Sequence, residues 1–492
     1  MSPQSLVVAA VAMPLITAVL VVACGRRPNL RETVTLVSGG LLLAVVSLLV
    51  GSVEARPEID VIDVFPGSID QSAIAIGFHV EPLGVVFALV ASGLWIVTSV
   101  YAIGYMRGHG EKNQTRFFAC FAVAIAAVMG IAFSRNLLTL FLFYEVLTLS
   151  TYPLVTHHGT ESAKRAGRTY LGILMGTSVV GLLLAILWTW QLAGTLDFRT
   201  GGVLAGHVEP VTAGVLLALF AFGTGKAALM PLHRWLPAAM VAPTPVSALL
   251  HAVAVVKAGV FTILKVGVYI FGTDLLGSGG ASVWLMYVAG ASLLTASLIA
   301  LTRDNLKERL AYSTISQLAY IVLGVALATE SGVIGSGMHI VMHAFGKITL
   351  FFCAGAILIG AHKTRVSELD GLGRRMPWTF AAFSVGALSV IGLPPVGGCW
   401  SKWFLALGTV EVGQWPLLGA LMVSSLLNIA YLVPIPLRGF FREAPGATAE
   451  GATGGEAPLA CVIPLCLTAS GCVVLFFCAD PIYQFLLSVV SK

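Results

Sequence analysis

The chain has 492 residues, of which 57% are hydrophobic and 10% charged, with a net charge of +5 and a mean hydropathy of +0.93. Soluble domains carry about 25% charged residues, so the composition implies a polytopic membrane protein and argues against a soluble domain or a nucleic-acid partner. Eight cysteines lie singly in apolar segments, with no CxxC or Cys/His cluster, and no Walker loop or dinucleotide fingerprint is present; no metal, cofactor or disulfide framework is expected.

A membrane span needs about 20 apolar residues. Fourteen segments qualify: 5–24, 33–53, 82–105, 116–134, 136–156, 167–191, 211–230, 244–270, 282–302, 311–328, 333–360, 378–408, 415–437 and 458–479. The predicted fold class is therefore an all-α integral membrane protein of about 14 transmembrane helices. The first segment lacks a charged leader and is followed by Arg26, Arg27 and Arg31, so it reads as a span and not as a cleaved signal. The second loop, 54–80, is acidic (Glu54, Glu58, Asp60, Asp63, Asp70), and its tail SAIAIGFHV alternates as a short external hairpin would. Residues 444–457, rich in Gly and Ala, read as a flexible cytoplasmic linker, and Asp480 to Lys492 as a short interfacial helix. Odd-numbered loops hold most of the Lys and Arg, whereas even-numbered loops and the termini hold only Arg56, Arg135, Arg199 and Lys492. The positive-inside rule then places odd loops in the cytoplasm and both termini outside, in a bacterial or archaeal inner membrane. The expected divisions are 1–106 (three helices and the external loop), 116–270, 282–437 and 458–492.

Five lysines and one acid sit inside these apolar segments: Lys226, Lys257, Lys265, Lys347 and Lys402, with Glu145. A charge at mid-bilayer depth costs roughly 2.5–3.5 kcal/mol on insertion scales. A chain that accepts several is built either to move charge or to hold helices together by buried pairs. Glu145 lies in FLFYEVLTLSTYP and is the natural partner of Lys226, as a tuning charge or as a fixed salt bridge. Segment seven reads FGTGKAALMPLHRWLP, with Lys226 flanked by Gly223, Gly225 and Pro231, which break a helix at that depth. Broken helices expose carbonyls that hold water or cations, as in transport sites.

In segment eight, His251 and Lys257 are six residues apart, about 120° round an ideal helix, so they can line one path without touching. Lys265 follows eight residues later, as an exit residue or as a lysine snorkelling to the outer headgroups. The run LKERLAYSTISQ after loop nine reads as a basic anchor leading into a polar face of Ser313, Ser316 and Gln317. In segment eleven, His339, His343 and Lys347 at i, i+4 and i+8 fall within an arc of about 80°. They form one polar stripe in which imidazole can relay protons. Segment twelve, SVIGLPPVGGCWSKWFL, repeats the break beside a lysine, Lys402. Two Pro/Gly-interrupted segments at matching places point to inverted repeats, spans four to eight matching nine to thirteen, with segments seven and twelve broken.

YEVLTLSTYPLV, KAALMPLHRWLPAAMVAPTPVSALLHAVAVVKAGVF, LKERLAYSTISQ, HAFGKITLFFCAGAI and GLPPVGGCWSKWF together resemble the antiporter-like proton-channel subunits. That family spans complex I membrane-arm subunits, group 4 membrane hydrogenases and Mrp-type Na⁺/H⁺ antiporters. The resemblance covers about 100–410, and in length the chain is most similar to the D subunit of Mrp-type antiporters. It implies that Glu145 and Lys226 are the acid and lysine of a first half-channel and that Lys257 bridges to the second. It also implies that His339, His343 and Lys347 form the second axis and that Lys402 ends it. Some complex I subunits carry Glu at that last place; the Cys and Trp of GGCWSKW are also departures, with no function attached. The implied activity is proton translocation coupled to Na⁺ exchange, by a transporter subunit working with other membrane subunits. The alternative is a proton-pumping arm of a quinone reductase or membrane hydrogenase. No Na⁺ site is legible.

Overall fold

The computed structural model describes residues 2–490 other than 54, 56, 66–73 and 444–454. It is an all-α membrane protein. In chain order the helices are α1 (Pro3–Ala23), α2 (Pro28–Val50), α3 (Pro82–Gly108), α4 (Gln114–Ala132), α5 (Leu137–Val155) and α6 (Glu161–Ala193). There follow α7 (Pro210–Gly223), α8 (Thr244–Phe271), α9 (Val283–Thr302), α10 (Leu306–Leu327), α11 (Glu330–Ala361), α12 (Pro377–Ile391) and α13 (Gly398–Glu411). The chain ends with α14 (Trp415–Phe441), α15 (Leu459–Phe477) and α16 (Ala479–Val490). Among the described residues twelve are long and apolar enough to cross a membrane. The shorter α7 and α12 are the leading halves of the two interrupted segments, so all fourteen expected spans are accounted for.

Local sequence sets the helix starts. The side chains of Asn136, Thr160, Asn305 and Thr329 each accept a backbone N–H three residues on, capping α5, α6, α10 and α11. Pro28 opens α2 five residues before the expected start at 33. The charges that made that turn read as loop are neutralised inside it. Glu32 pairs with Arg31 at 3.3 Å and with Arg107 of α3. The acidic second loop does form a hairpin: β1 (Glu58–Phe65) pairs antiparallel with β2 (Ile74–His79). The C-terminal helix is also present, as α16, with Leu486 buried against Gly337 of α11. Of the expected linker, 444–454 lies outside the described residues.

Burial decides which helices are central. α8 is wholly buried and α10 94% buried, whereas α2 and α6 are each only 28% buried and present apolar sides outward. The fourth span of each five-helix group is the broken one, at 224–234 and at 392–397. The first break is pinned by Trp235, whose Nε1 donates to the Gly225 carbonyl at 3.0 Å. It also lies directly on α8, where a Cβ at Gly259 would come within 2.3 Å of the Ala227 nitrogen and 2.4 Å of the Lys226 carbonyl carbon. In the second break Gly392 takes φ +88°, a conformation that suits glycine.

Both faces of this contact are backbone, so no side chain can yield. Gly259→Val is expected to destabilise the protein by about 1–3 kcal/mol through overpacking, read as a lowered thermal midpoint in detergent.

Candidate functional site

The first break brings Lys226 against α5. Its ammonium donates to the Tyr144 carbonyl at 2.8 Å and to Thr148 Oγ1 at 2.5 Å, and sits 3.1 Å over the Tyr144 ring. The Lys226 backbone N–H, freed by the break, donates to the Tyr144 hydroxyl at 3.1 Å. Tyr144 and Thr148 are one helical turn apart and so present one receiving face. Among the described residues Glu145 makes no ion pair, and both its buried carboxylate oxygens lack a hydrogen-bond partner. Of the two expected forms of the Glu145–Lys226 partnership, the fixed salt bridge is not formed: adjacent residues on a helix diverge by about 100°, and Tyr144 meets the lysine directly while Glu145 acts on it through its charge alone.

On α8 the backbone is distorted at the break that follows Pro243 and Pro245. The Ala254 N–H donates to the Leu249 carbonyl, five residues back, at 2.9 Å, and Ala254 departs from helical angles. This wide turn carries His251, so ideal-helix arithmetic does not apply between His251 and Lys257. Such π-bulges recur at functional sites. Among the described residues neither ring nitrogen of His251 has a hydrogen-bond partner, and its ring lies 4.7 Å from that of Phe351. Lys257, fully buried, meets His343 Nδ1 of α11 at 2.7 Å. This contact joins α8 to α11.

The stripe on α11 stands as expected. His343 and His339 stack at 5.7 Å, and His339 Nδ1 meets Ser401 Oγ of α13 at 2.9 Å. Lys347 donates to Ser313 Oγ of α10 at 2.7 Å, and Ser313 in turn accepts from the Tyr431 hydroxyl at 2.9 Å. Tyr320 of α10 stacks on His339 at 5.6 Å on one side and lies 4.6 Å from the Lys402 ammonium on the other. Lys402 also donates to Ser425 Oγ at 3.1 Å and to the Ile391 carbonyl, bared by the second break, at 3.0 Å. A groove of about 600 Å³, lined by Lys402, Trp403, Met422 and Ser425 among others, borders it.

Lys265 does not snorkel. It is fully buried and pairs with Glu81 at 2.7 Å, near the hairpin end of α8. The basic run also behaves differently from a plain surface anchor. Lys307 turns inward to donate to the Ala242 carbonyl at 2.6 Å and lines a cavity of about 330 Å³ with Asn305, Lys363 and Thr364.

Among the described residues Ser247 and His251 of α8, Gln317 of α10, His339 and His343 of α11 and Glu145 of α5 carry buried side-chain atoms without a hydrogen-bond partner, and an unpaired buried polar atom costs about 1–3 kcal/mol. No group of three or more His, Cys, Asp or Glu among the described residues is arranged to hold a metal. The sequence reading missed Tyr144, Tyr320, Ser401, Ser425 and Glu81. The Tyr144/Thr148 spacing was a usable signal; the others become adjacent only through tertiary packing.

Residues 134–428 match the family described as NADH:quinone oxidoreductase/Mrp antiporter, transmembrane region, and residues 68–118 match the N-terminal region of complex I chain 5. The chain is 33% identical to NADH-quinone oxidoreductase subunit N of Desulforudis audaxviator over 80% of its own length and 81% of that protein's. It is 32% identical to hydrogenase-4 component B of Escherichia coli and to NADH-quinone oxidoreductase subunit L of Mycobacterium tuberculosis. The match takes in 82% and 81% of this chain but only 62% of each of those proteins. In fold it resembles a chain of the Mrp complex from Dietzia sp. DQ12-45-1b, with a TM-score of 0.86, 23% identity, and 100% and 97% of the two chains covered. It also resembles a chain of an archaeal membrane-bound sulfane sulfur reductase, with a TM-score of 0.84 at 24% identity and 99% and 98% covered.

Thr148→Val removes one of the two oxygens that hold the Lys226 ammonium while keeping the shape. It is expected to cost about 1–3 kcal/mol, seen as a lower detergent-denaturation midpoint.

Proposed function

This chain belongs to the NADH:quinone oxidoreductase/Mrp antiporter transmembrane family, and on that premise we propose that it is the proton-translocating subunit of a multisubunit monovalent-cation/H⁺ antiporter, with Na⁺ as the exchanged cation. The observation that carries the reading is the Lys257–His343 contact, because it links two polar half-axes into one. The halves are residues 116–270 and 282–437, with 1–106 and 458–492 packed around them. Protons pass between Glu145 and Lys226 in the first half, across Lys257 to His343, and through His339 and Lys347 to Lys402 in the second. His251 admits protons beside Lys257.

Each step moves one proton and displaces one charge. The Lys257 ammonium donates to His343 Nδ1, leaving a neutral amine and an imidazolium. The positive charge now near Lys347 favours release there, since like charges disfavour each other's protonated forms. Lys226 faces oxygens and a ring instead of a carboxylate, so it can lose its proton without leaving a stranded partner. Glu145, with no bonded counter-charge, responds to whatever charge approaches its side of α5. The protein is then a transporter subunit in a cell membrane, with other membrane subunits as partners, the basic loops inside and both termini outside.

The full-length correspondence with a chain of the Mrp complex supports an antiporter assembly. The identity to subunit N supports a second reading, a pumping arm of a redox complex. Proton flux through the reconstituted complex under an imposed pH gradient separates them. Flux that requires Na⁺ is expected; flux that ignores Na⁺ and requires an electron donor overturns the antiporter reading. Lys226→Ala is expected to abolish transport while the complex still assembles, scored by native gel; loss of assembly would make Lys226 a structural residue.

A further inference from the structure

Lys265 alone of the five intramembrane lysines has a carboxylate within ion-pair distance among the described residues. Its partner, Glu81, is 2% exposed, immediately before α3. The ammonium also donates to the Ser134 carbonyl at 2.7 Å and lies 4.4 Å from the Phe198 ring centroid. Lys257 and Lys265 share α8, and eight residues span about 12 Å of helix. The pair therefore lies between the central axis and the hairpin face.

A route onward is built into the backbone. Glu81 is in extended conformation, and in such a strand residues two apart point to the same side, which puts His79 on Glu81's side. His79 is in cross-strand register with Glu58. Glu58 belongs to an acidic rim gathered by Arg135, which reaches Glu58 at 3.6 Å, Asp60 at 2.5 Å and Asp197 at 3.4 Å. Burial holds the Asp197 carboxyl above its usual range, against the pull of Arg135 and Arg199. A buried ion pair is a weak way to stabilise a fold, since well-packed apolar residues often do better. This one instead stands in line between a buried lysine and an acidic surface.

We infer that Glu81 and Lys265 form a proton-release station on the hairpin face of the first half. This rests on the proton-translocation reading above. The Lys265 ammonium passes its proton to the Glu81 carboxylate, leaving a neutral amine beside a neutral acid, so no charge is left isolated. The acid then loses that proton by way of His79 to the Glu58–Asp60–Asp197 rim. The Lys265 amine is reprotonated from Lys257, and the ion pair is restored.

The test uses the assembled complex in proteoliposomes and compares Glu81→Gln, Glu81→Asp, Lys265→Met and the double Glu81→Gln/Lys265→Met with Lys226→Ala. Glu81→Gln and the double variant are expected to lower proton flux by at least about tenfold, with Glu81→Asp restoring most of it. The double variant leaves no unpaired buried charge, so it is expected to assemble even where a single one does not. Should it assemble and transport at the native rate while Lys226→Ala is inactive, the pair is a clamp, and the release station is overturned with the transport reading intact. Failure of the double variant to assemble also overturns it. Native flux in every variant, Lys226→Ala included, overturns the transport reading itself.

Discussion

The cost of keeping an ammonium out of water organises this protein. Each buried lysine must find oxygens, a ring or an imidazole to face, and in a helical membrane protein few backbone groups are free to offer them. The two breaks place two of the lysines. The first turns Lys226 onto the Tyr144 carbonyl and the Thr148 hydroxyl; the second bares the Ile391 carbonyl to Lys402. Elsewhere the partners are side chains from neighbouring helices, Ser313 for Lys347 and His343 for Lys257. Among the described residues only Lys265 takes a carboxylate. That difference is what sets the proposed axis apart from its proposed edge.

Close packing makes these placements possible. Gly259 lets α8 lie on the first break, which fixes Lys226 on one side of a helix whose next polar group, Lys257, turns toward α11. The wide turn at Leu249–Val253 sets His251 out of ordinary helical register. Of the helices that carry these groups, α8 and α10 are the most deeply buried, while α1, α2 and α6 present broad apolar faces. At the centre of the molecule Tyr320 and the stacked His339 and His343 span the space between Lys257 and Lys402.

Much of this is legible in one sequence. Hydropathy separates the spans, and Pro and Gly mark the breaks. The i, i+4, i+8 spacing fixes the His339–His343–Lys347 stripe, because a regular helix preserves it. Three things escape. The lack of a Glu145–Lys226 salt bridge escapes because sequence shows which opposite charges share a depth, not which helix face each occupies. Glu81 escapes because it stands outside every apolar segment, in a loop that the fold folds back over α8. The early start of α2 escapes for a related reason: Arg31 and Glu32 count as polar in sequence, but their pairing removes that polarity in space.

The central claim is that one continuous axis crosses from the first five helices to the second at Lys257. Proton flux through the reconstituted complex carrying Lys257→Met tests it most directly, with assembly checked in parallel. The account predicts an assembled complex with proton flux reduced to background. An assembled complex that still carries protons at the native rate would contradict it, since the two halves would then not depend on this contact.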